Sequence, residues 1–336
     1  MNDNDLIFCV IMPCYNSEEY VRGAIESLLN QTYSSWKLIA VNDGSTDDTL
    51  AILNEYASKD NRISVYTKKN GGYATAINYG LDRISGDYFL MLGSDDRFAS
   101  NLFQKIVDGL DEKEPDMIAF RSIRFQGNEN IGLDCFTEFD SASCLFNTNI
   151  NEYYNSFPQQ SRILFVRDTA KCYKTELLGD LRYFGKYGID ADGIFSLLFT
   201  YKCQSFMSLP IDGYYWTIRN DSVSASASLE KNIDRVHNWN KYLSALLKEN
   251  KASLIEREKE CITLPFRLAC RLLKNKKQLS FSNILSIHFS LRKSIVLSKK
   301  YRVGLMEFNE IFETNQIKSC IFQLFPISFL IRHGFV

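Results

Sequence analysis

Between Leu6 and Asp96 the chain alternates short apolar runs with segments whose apolar residues recur every three or four positions. Leu6 to Met12 is a continuous apolar run that stops at Pro13, as a strand buried on both faces would. Ser17 is placed to cap a following helix, with Glu18 and Glu19 in its first turn and Val21, Ala24, Ile25, Leu28 and Leu29 on one face. Leu38 to Val41 forms a second run, ending in Asn42-Asp43-Gly44-Ser45. Ser45 is placed to cap a second helix through Leu50, Leu53 and Ala57. Ile63 to Tyr66 predicts a third strand, and Asn70-Gly71-Gly72 breaks the chain before a short helix through Ala76, Ile77 and Leu81. The next run, Tyr88 to Leu92, leads through Gly93 and Ser94 into Asp95-Asp96. This alternation predicts an α/β fold: a doubly wound, mostly parallel sheet with helices on both faces. Beyond residue 225, Ile233 to Leu247 and Leu254 to Leu273 read as helices, so the C-terminal region is expected to be mainly helical.

Three strand ends carry polar residues: Tyr15-Asn16, Asp43, and Asp95-Asp96. In a parallel sheet such ends lie along one edge, where the ligands of open α/β sheets bind. Adjacent carboxylates repel unless a cation or a proton joins them, and Mg²⁺ or Mn²⁺ shares carboxylate oxygens readily with phosphates. There is no GxGxxG after the first strand and no GxxxxGK[ST] anywhere, so dinucleotide and P-loop triphosphate binding are not indicated.

Four segments taken together resemble the family-2 glycosyltransferases of GT-A fold: Val10 to Tyr33, Val41 to Thr49, Lys69 to Leu81 and Gly86 to Asp96. The resemblance is firm to Asp96, looser to Ser224, and does not reach the C-terminal third. It implies an inverting transfer of a sugar from a nucleotide-sugar, most simply a UDP-sugar, to a hydroxyl of a glycan or lipid-linked glycan during surface-polysaccharide synthesis. It implies nucleotide contacts from Pro13, Tyr15, Asn16, Asp43, Asn70, Gly72, Asn78 and Ser94. Of these, Tyr15 would lie against the base and Asp43 would accept its imide proton. Asn70 and Gly72 would shape the loop beneath the nucleotide, and Asn78 would pin that loop. Asp95 would hold Mn²⁺ or Mg²⁺, with Asp96 as a donor-sugar contact or a support behind it. The family usually has an Asp where this chain has Gly93, which puts a ribose contact in doubt. Its usual Glu-Asp at the acceptor helix corresponds here to Ala191-Asp192. Asp192 is therefore the expected base, with Asp190 as the fallback. Trp216 and Arg219 fall in the family's closing segment, as a sugar platform and a phosphate contact on the acceptor side. Gly93 and Ala191 also leave open a catalytically silent sugar-nucleotide-binding protein of the same fold.

Composition adds three constraints. At 336 residues, 45% hydrophobic and 13% aromatic, the chain can build one large α/β domain plus an appendage. Nine cysteines without paired CxxC spacing suggest reduced thiols and a cytoplasmic protein. The acidic N-terminus is unlike a signal peptide, and no apolar run reaches the roughly 18 residues of a membrane span.

The net charge of -1 hides an asymmetry: 20 basic and 31 acidic residues up to Ser224, then 19 basic and 9 acidic. This places a boundary between residues 1–224, with halves of about 1–125 and 126–224, and a basic region 225–336. No acidic residue lies between Glu260 and Glu307, while Arg267, Arg271, Lys274, Lys276, Lys277, Arg292, Lys293, Lys299, Lys300 and Arg302 alternate with apolar residues. Such a segment suits an anionic membrane surface, making the protein peripheral on the inner face of the cell membrane. The apolar stretch Cys320 to Ile331 is too short to span but could dip into the lipid. A homodimer contact is the competing use of the region. Nucleic acid is not an expected partner.

Overall fold

The computed structural model describes residues 6–110, 113–127, 129–133, 144–146, 167–185, 190–219 and 229–248. The chain forms two compact units, Met1–Ala225 and Ser226–Val336. In the first unit, β1 (Phe8–Cys14), α1 (Val21–Leu29), β2 (Trp36–Asn42), α2 (Thr49–Ala57), β3 (Ile63–Thr67), α3 (Tyr73–Leu81) and β4 (Tyr88–Met91) follow in turn. Then come β5 (Arg97–Phe98), α4 (Leu102–Leu110), β6 (Met117–Gln126), β7 (Glu129–Leu133), β8 (Cys144–Phe146), β9 (Lys171–Lys174), α5 (Ala191–Thr200) and β10 (Phe206–Thr217). The described part of the second unit is α6 (Leu229–Lys248).

The sheet runs β3-β2-β1-β4-β9-β6-β10-β5, with β7 beside β6 and β8 beside β10. From β3 to β4 it is wholly parallel, in the register Phe8↔Trp36 to Cys14↔Asn42 and Phe8↔Tyr88 to Ile11↔Met91. Past β4 it is mixed: β9 lies antiparallel to both β4 and β6, while β10 is parallel to β6. The α/β expectation holds, and the departure from a mostly parallel sheet begins where the strand–helix alternation ends. β9 is a four-residue strand inserted from residue 171, too short to carry a periodic signal.

Helices cover both faces. Phe8, Val10, Met12, Leu38, Ala40 and Leu90 join α1, α2 and α4 in one core, where Phe8 stacks on Phe103 at 4.8 Å. On the other face Ile11 packs so closely on α3 that a Cβ on Gly80 would lie 2.5 Å from its methyl group. Phe89, wholly buried, stacks on Tyr173 at 5.2 Å and meets Phe195 and Phe199 of α5 edge-on. Cys9, Cys14, Cys172 and Cys203 are buried free thiols.

Two expected helix caps are replaced. Neither Tyr20 at the start of α1 nor Asp48 at the start of α2 makes a side-chain cap bond. The Ser17 carbonyl, not its hydroxyl, receives the Tyr20 and Val21 amides, and Ser45 bonds across to Asn16. Both serines serve the junction between two loops. The expected helix from Leu254 to Leu273, the basic run to Arg302 and the segment Cys320 to Ile331 lie outside the described residues. Among the described residues no helix is long and apolar enough to cross a membrane.

Because Phe89 joins β4 and β9 to α5, Phe89→Ala should cost about 3–5 kcal/mol of unfolding free energy. Urea titration followed by circular dichroism checks this. A loss below about 1 kcal/mol would show that α5 is seated by other contacts.

Candidate functional site

The parallel register puts the ends of β1, β2 and β4 side by side, and reciprocal hydrogen bonds fix the first two loops together. The Asn16 amide donates to Ser45 Oγ at 3.1 Å, and Asn16 Oδ1 accepts from the Thr46 amide at 2.8 Å. The Asp48 amide donates to Glu18 Oε2 at 2.8 Å, the Glu18 amide to Asp47 Oδ2 at 3.1 Å, and the Ser17 amide to Thr49 Oγ1 at 2.8 Å. Asn16 takes a left-handed φ of 46°, which asparagine tolerates better than most residues. Tyr15, just before it, stands 51% exposed beyond the strand end, so its ring is available to stack on a flat ligand. Pro13 lies within β1, paired with Val41.

Asp43 is 3% exposed and organises the third loop. Its Oδ1 accepts from Lys68 Nζ at 2.5 Å and the Gly71 amide at 3.0 Å, and its Oδ2 from the Gly72 amide at 2.8 Å. Gly72 has a φ of 89°, and a Cβ on Gly44 would lie 2.8 Å from the Asn70 nitrogen. These two positions therefore require glycine. Asn78 does not pin this loop. It holds Tyr183 instead, donating from Nδ2 to the Tyr183 carbonyl at 3.0 Å and accepting the Tyr183 amide at 2.8 Å.

After β4, Gly93, Ser94, Asp95 and Asp96 form a turn closed by the Asp96 amide on the Gly93 carbonyl at 3.0 Å. The carboxylates diverge. Asp95 stays partly exposed, with its Oδ2 3.4 Å from Arg219 Nε. Asp96 is 7% exposed and accepts from the Tyr214 hydroxyl at 2.5 Å and the Thr217 amide at 2.8 Å. Burial, then the charge of Asp95, raises its pKa to about 7. Asp96 is thus held from behind the turn by β10. A Cβ at position 93 would lie 2.5 Å from the Asp96 carboxylate, so the space an acidic residue 93 would need is filled.

A second cluster of carboxylates surrounds Tyr73, the first residue of α3. Asp192, in the first turn of α5, is partly buried and has its pKa raised to about 7, by burial first and then by the charge of Asp168. Asp190 precedes the helix at a φ of 60°, with its carbonyl accepting the Ile194 amide. Asp168, 2% exposed, accepts the hydroxyls of Tyr183 at 2.5 Å and Tyr73 at 3.1 Å. Burial raises its pKa as well. The charges of Asp168, Asp192 and Asp96 all act on Tyr73. Arg167 lies over the Trp216 ring at 4.0 Å, and its charge favours the ionised forms of both Asp96 and Asp192. Arg219 lies over Tyr20 at 4.7 Å. Sequence reasoning passed over Asp168, Tyr73, Tyr183 and Arg167. Tyr73 at least adjoins Gly72 within a recognised motif, whereas nothing local distinguishes Asp168.

Residues 9–181, just over half of the chain, match the family model "Glycosyl transferase family 2". The chain belongs to that family. It is 32% identical over 223 residues to "Glycosyltransferase GlyA" of Streptococcus pneumoniae, across 64% of this chain and 31% of that protein. It is 29% identical over 271 residues to "Minor teichoic acid biosynthesis protein GgaB" of Bacillus subtilis, across 76% of this chain and 27% of that protein. The chain therefore spans about a third or less of the length of these two relatives. Among solved structures, S. aureus TarS 1–349 in complex with UDP-GlcNAc shares the fold, with a TM-score of 0.56 and 21% identity over 88% of this chain and 92% of that one.

Folding favours the protonated form of Asp192. Its stabilising effect is complete below about pH 4, the ordinary carboxylate value, and is lost as pH rises through about 7. Asp192→Asn should therefore raise the melting temperature at pH 8 and change it little at pH 4. Differential scanning calorimetry at both values checks this. Equal shifts at both would mean that Asp192 titrates normally.

Proposed function

We propose that the chain transfers a sugar from a UDP-sugar to a hydroxyl of a glycan or lipid-linked glycan, with inversion, in surface-polysaccharide synthesis. The observation that carries this is one sheet edge bearing an exposed aromatic (Tyr15), a buried carboxylate (Asp43) and a partly exposed carboxylate (Asp95), with the charge of Asp192 felt at Tyr73, next to the Gly72 that bonds Asp43. Membership of the family and the name of GgaB agree with it. The fold is also the one on which TarS was captured with UDP-GlcNAc.

In this reading Tyr15 stacks on the base and Asp43 accepts its imide proton. Asp192 takes the proton of the acceptor hydroxyl. The freed oxygen attacks the anomeric carbon from the face opposite the diphosphate, and the bond to the diphosphate breaks with its electron pair on the leaving oxygen. A carboxylate titrating near neutral pH is matched to this task, which contributes on the order of 10²–10⁴-fold. Arg219 reaches the diphosphate from β10, and Trp216, backed by Arg167, borders the acceptor.

Among the described residues no group of three or more His, Cys, Asp or Glu could hold a metal. Asp95 alone fits a cation shared with the donor, because Mg²⁺ sites commonly use one or two carboxylates plus substrate phosphates. A divalent ion there would neutralise charge developing on the leaving diphosphate. A catalytically silent sugar-nucleotide binder is the second reading, favoured by the engagement of Asp95 with Arg219 and by Gly93.

Release of nucleoside diphosphate from a donor panel, with and without Mn²⁺, separates the two readings. With the active donor, Asp95→Ala should remove the Mn²⁺ response and Asp43→Ala should mainly weaken donor affinity. Asp192→Asn should lower kcat by about 10²–10⁴-fold while leaving donor binding near normal. In the wild type, kcat/KM should rise with pH through about 7. Donor binding without release of diphosphate would select the silent reading, and a collapse confined to Asp190→Asn would move the base. For the basic segment between Glu260 and Glu307 we propose attachment to an anionic leaflet. Liposome co-sedimentation should show binding to anionic but not to neutral vesicles, and equal binding to both would remove the electrostatic account.

A further inference from the structure

We propose that Lys68 makes the site selective for a base with a single imide N–H, uracil or thymine, and against guanine. This rests on Asp43 being the carboxylate that reads the base. A carboxylate offers about four lone-pair positions, two on each oxygen. Both positions on Asp43 Oδ1 are filled, by Lys68 Nζ at 2.5 Å and the Gly71 amide at 3.0 Å. Oδ2 receives the Gly72 amide at 2.8 Å, which leaves one position.

Guanine presents two adjacent parallel donors, N1–H and an exocyclic N2–H, and a carboxylate satisfies both only by using both oxygens. Uracil and thymine present one N–H between two carbonyls and need one oxygen. Cytosine and adenine place a ring-nitrogen lone pair where that N–H would be, against the negative charge. A carboxylate with one remaining acceptor position therefore matches the imide bases.

Lys68 is the member of this set that a side-chain change can remove, since the other two donors are backbone amides. It is also fixed in place. Its ammonium meets Asp43 Oδ1, the Lys69 carbonyl at 2.8 Å and Thr75 Oγ1 at 2.9 Å, which accounts for its three donors. Thr75 in turn donates to the Gly72 carbonyl at 2.8 Å, so the lysine, the two glycines and the start of α3 are one hydrogen-bonded unit. The Asp43 side chain is 4% exposed and that of Lys68 18%, so water competes little for these positions.

Calorimetric titration of the full chain with UDP, dTDP, CDP and GDP in Mn²⁺ tests the proposal. Wild type should bind UDP and dTDP alike, and GDP at least about tenfold more weakly, since a buried donor left without an acceptor costs roughly that factor or more. Lys68→Met should reduce the GDP-to-UDP ratio of dissociation constants by about tenfold, and Lys68→Arg, which keeps the cation, should retain most of it. UDP binding with an unchanged ratio in Lys68→Met would overturn the role of Lys68 and leave the donor reading standing. Binding of none of the four nucleotides by wild type would overturn the donor reading itself, and this inference with it. Should Lys68→Met fail to fold by circular dichroism, the wild-type panel decides, because GDP or CDP bound as tightly as UDP contradicts the single-acceptor geometry.

Discussion

The Asp96 carboxylate, at the end of the turn after β4, accepts the Tyr214 hydroxyl and the Thr217 amide of β10, and the site depends on this buried junction. β10 comes from residues more than a hundred positions later and carries Trp216, with Arg219 just beyond it. β10 also pairs antiparallel with β5, directly after Asp96, and the two Asp96 bonds hold the end of that strand beside the Asp95 turn. Burying a carboxylate is costly, and the rise of its pKa to about 7 reflects that cost. Two good donors offset part of it, and the Gly93 amide donates to the same Tyr214 oxygen at 3.1 Å. The glycine at 93 belongs to this arrangement, because a side chain there would enter the space of the Asp96 carboxylate.

A second buried carboxylate, Asp168, plays a matching part beside α3 and α5. It draws the hydroxyls of Tyr73 and Tyr183 together, and Tyr183 stacks on Phe195 of α5 at 4.4 Å. The backbone of Tyr183 is held to α3 by both ends of the Asn78 amide. Tyr183 is therefore tied to α3 by polar contacts and to α5 by a ring stack. The charge of Asp168 adds to burial in raising the pKa of Asp192. Arg167 counters the accumulated negative charge from its place over Trp216.

The loops after β1 and β2 are built differently, from backbone donors and short turns. Asp43 gathers the Gly71 and Gly72 amides, while Asn16, Glu18, Ser45 and Asp48 lock the first two loops to one another. Residues that would otherwise cap helices are used to join loops, which explains why the start of α1 and the start of α2 have no side-chain caps. The Tyr15 ring and part of Asp95 remain exposed beside these loops.

The local sequence by itself determined the parallel half of the sheet and its order of elements, because apolar runs and helical spacing are properties of a few consecutive residues. It also put Tyr15, Asp43 and Asp95 at strand ends, since polar residues that stop an apolar run mark where burial ceases. Tertiary structure decided which neighbouring carboxylate is exposed and which is buried, a distinction that Asp95-Asp96 as a dipeptide does not contain. It decided that Asn78 serves Tyr183 and not its own loop, and that Asp168 belongs to the site at all. Those assignments depend on contacts across 15 to 121 positions of chain, made by Asp168, Tyr183 and β10. The burial that shifts Asp96 and Asp192 toward neutrality arises only once those elements have packed.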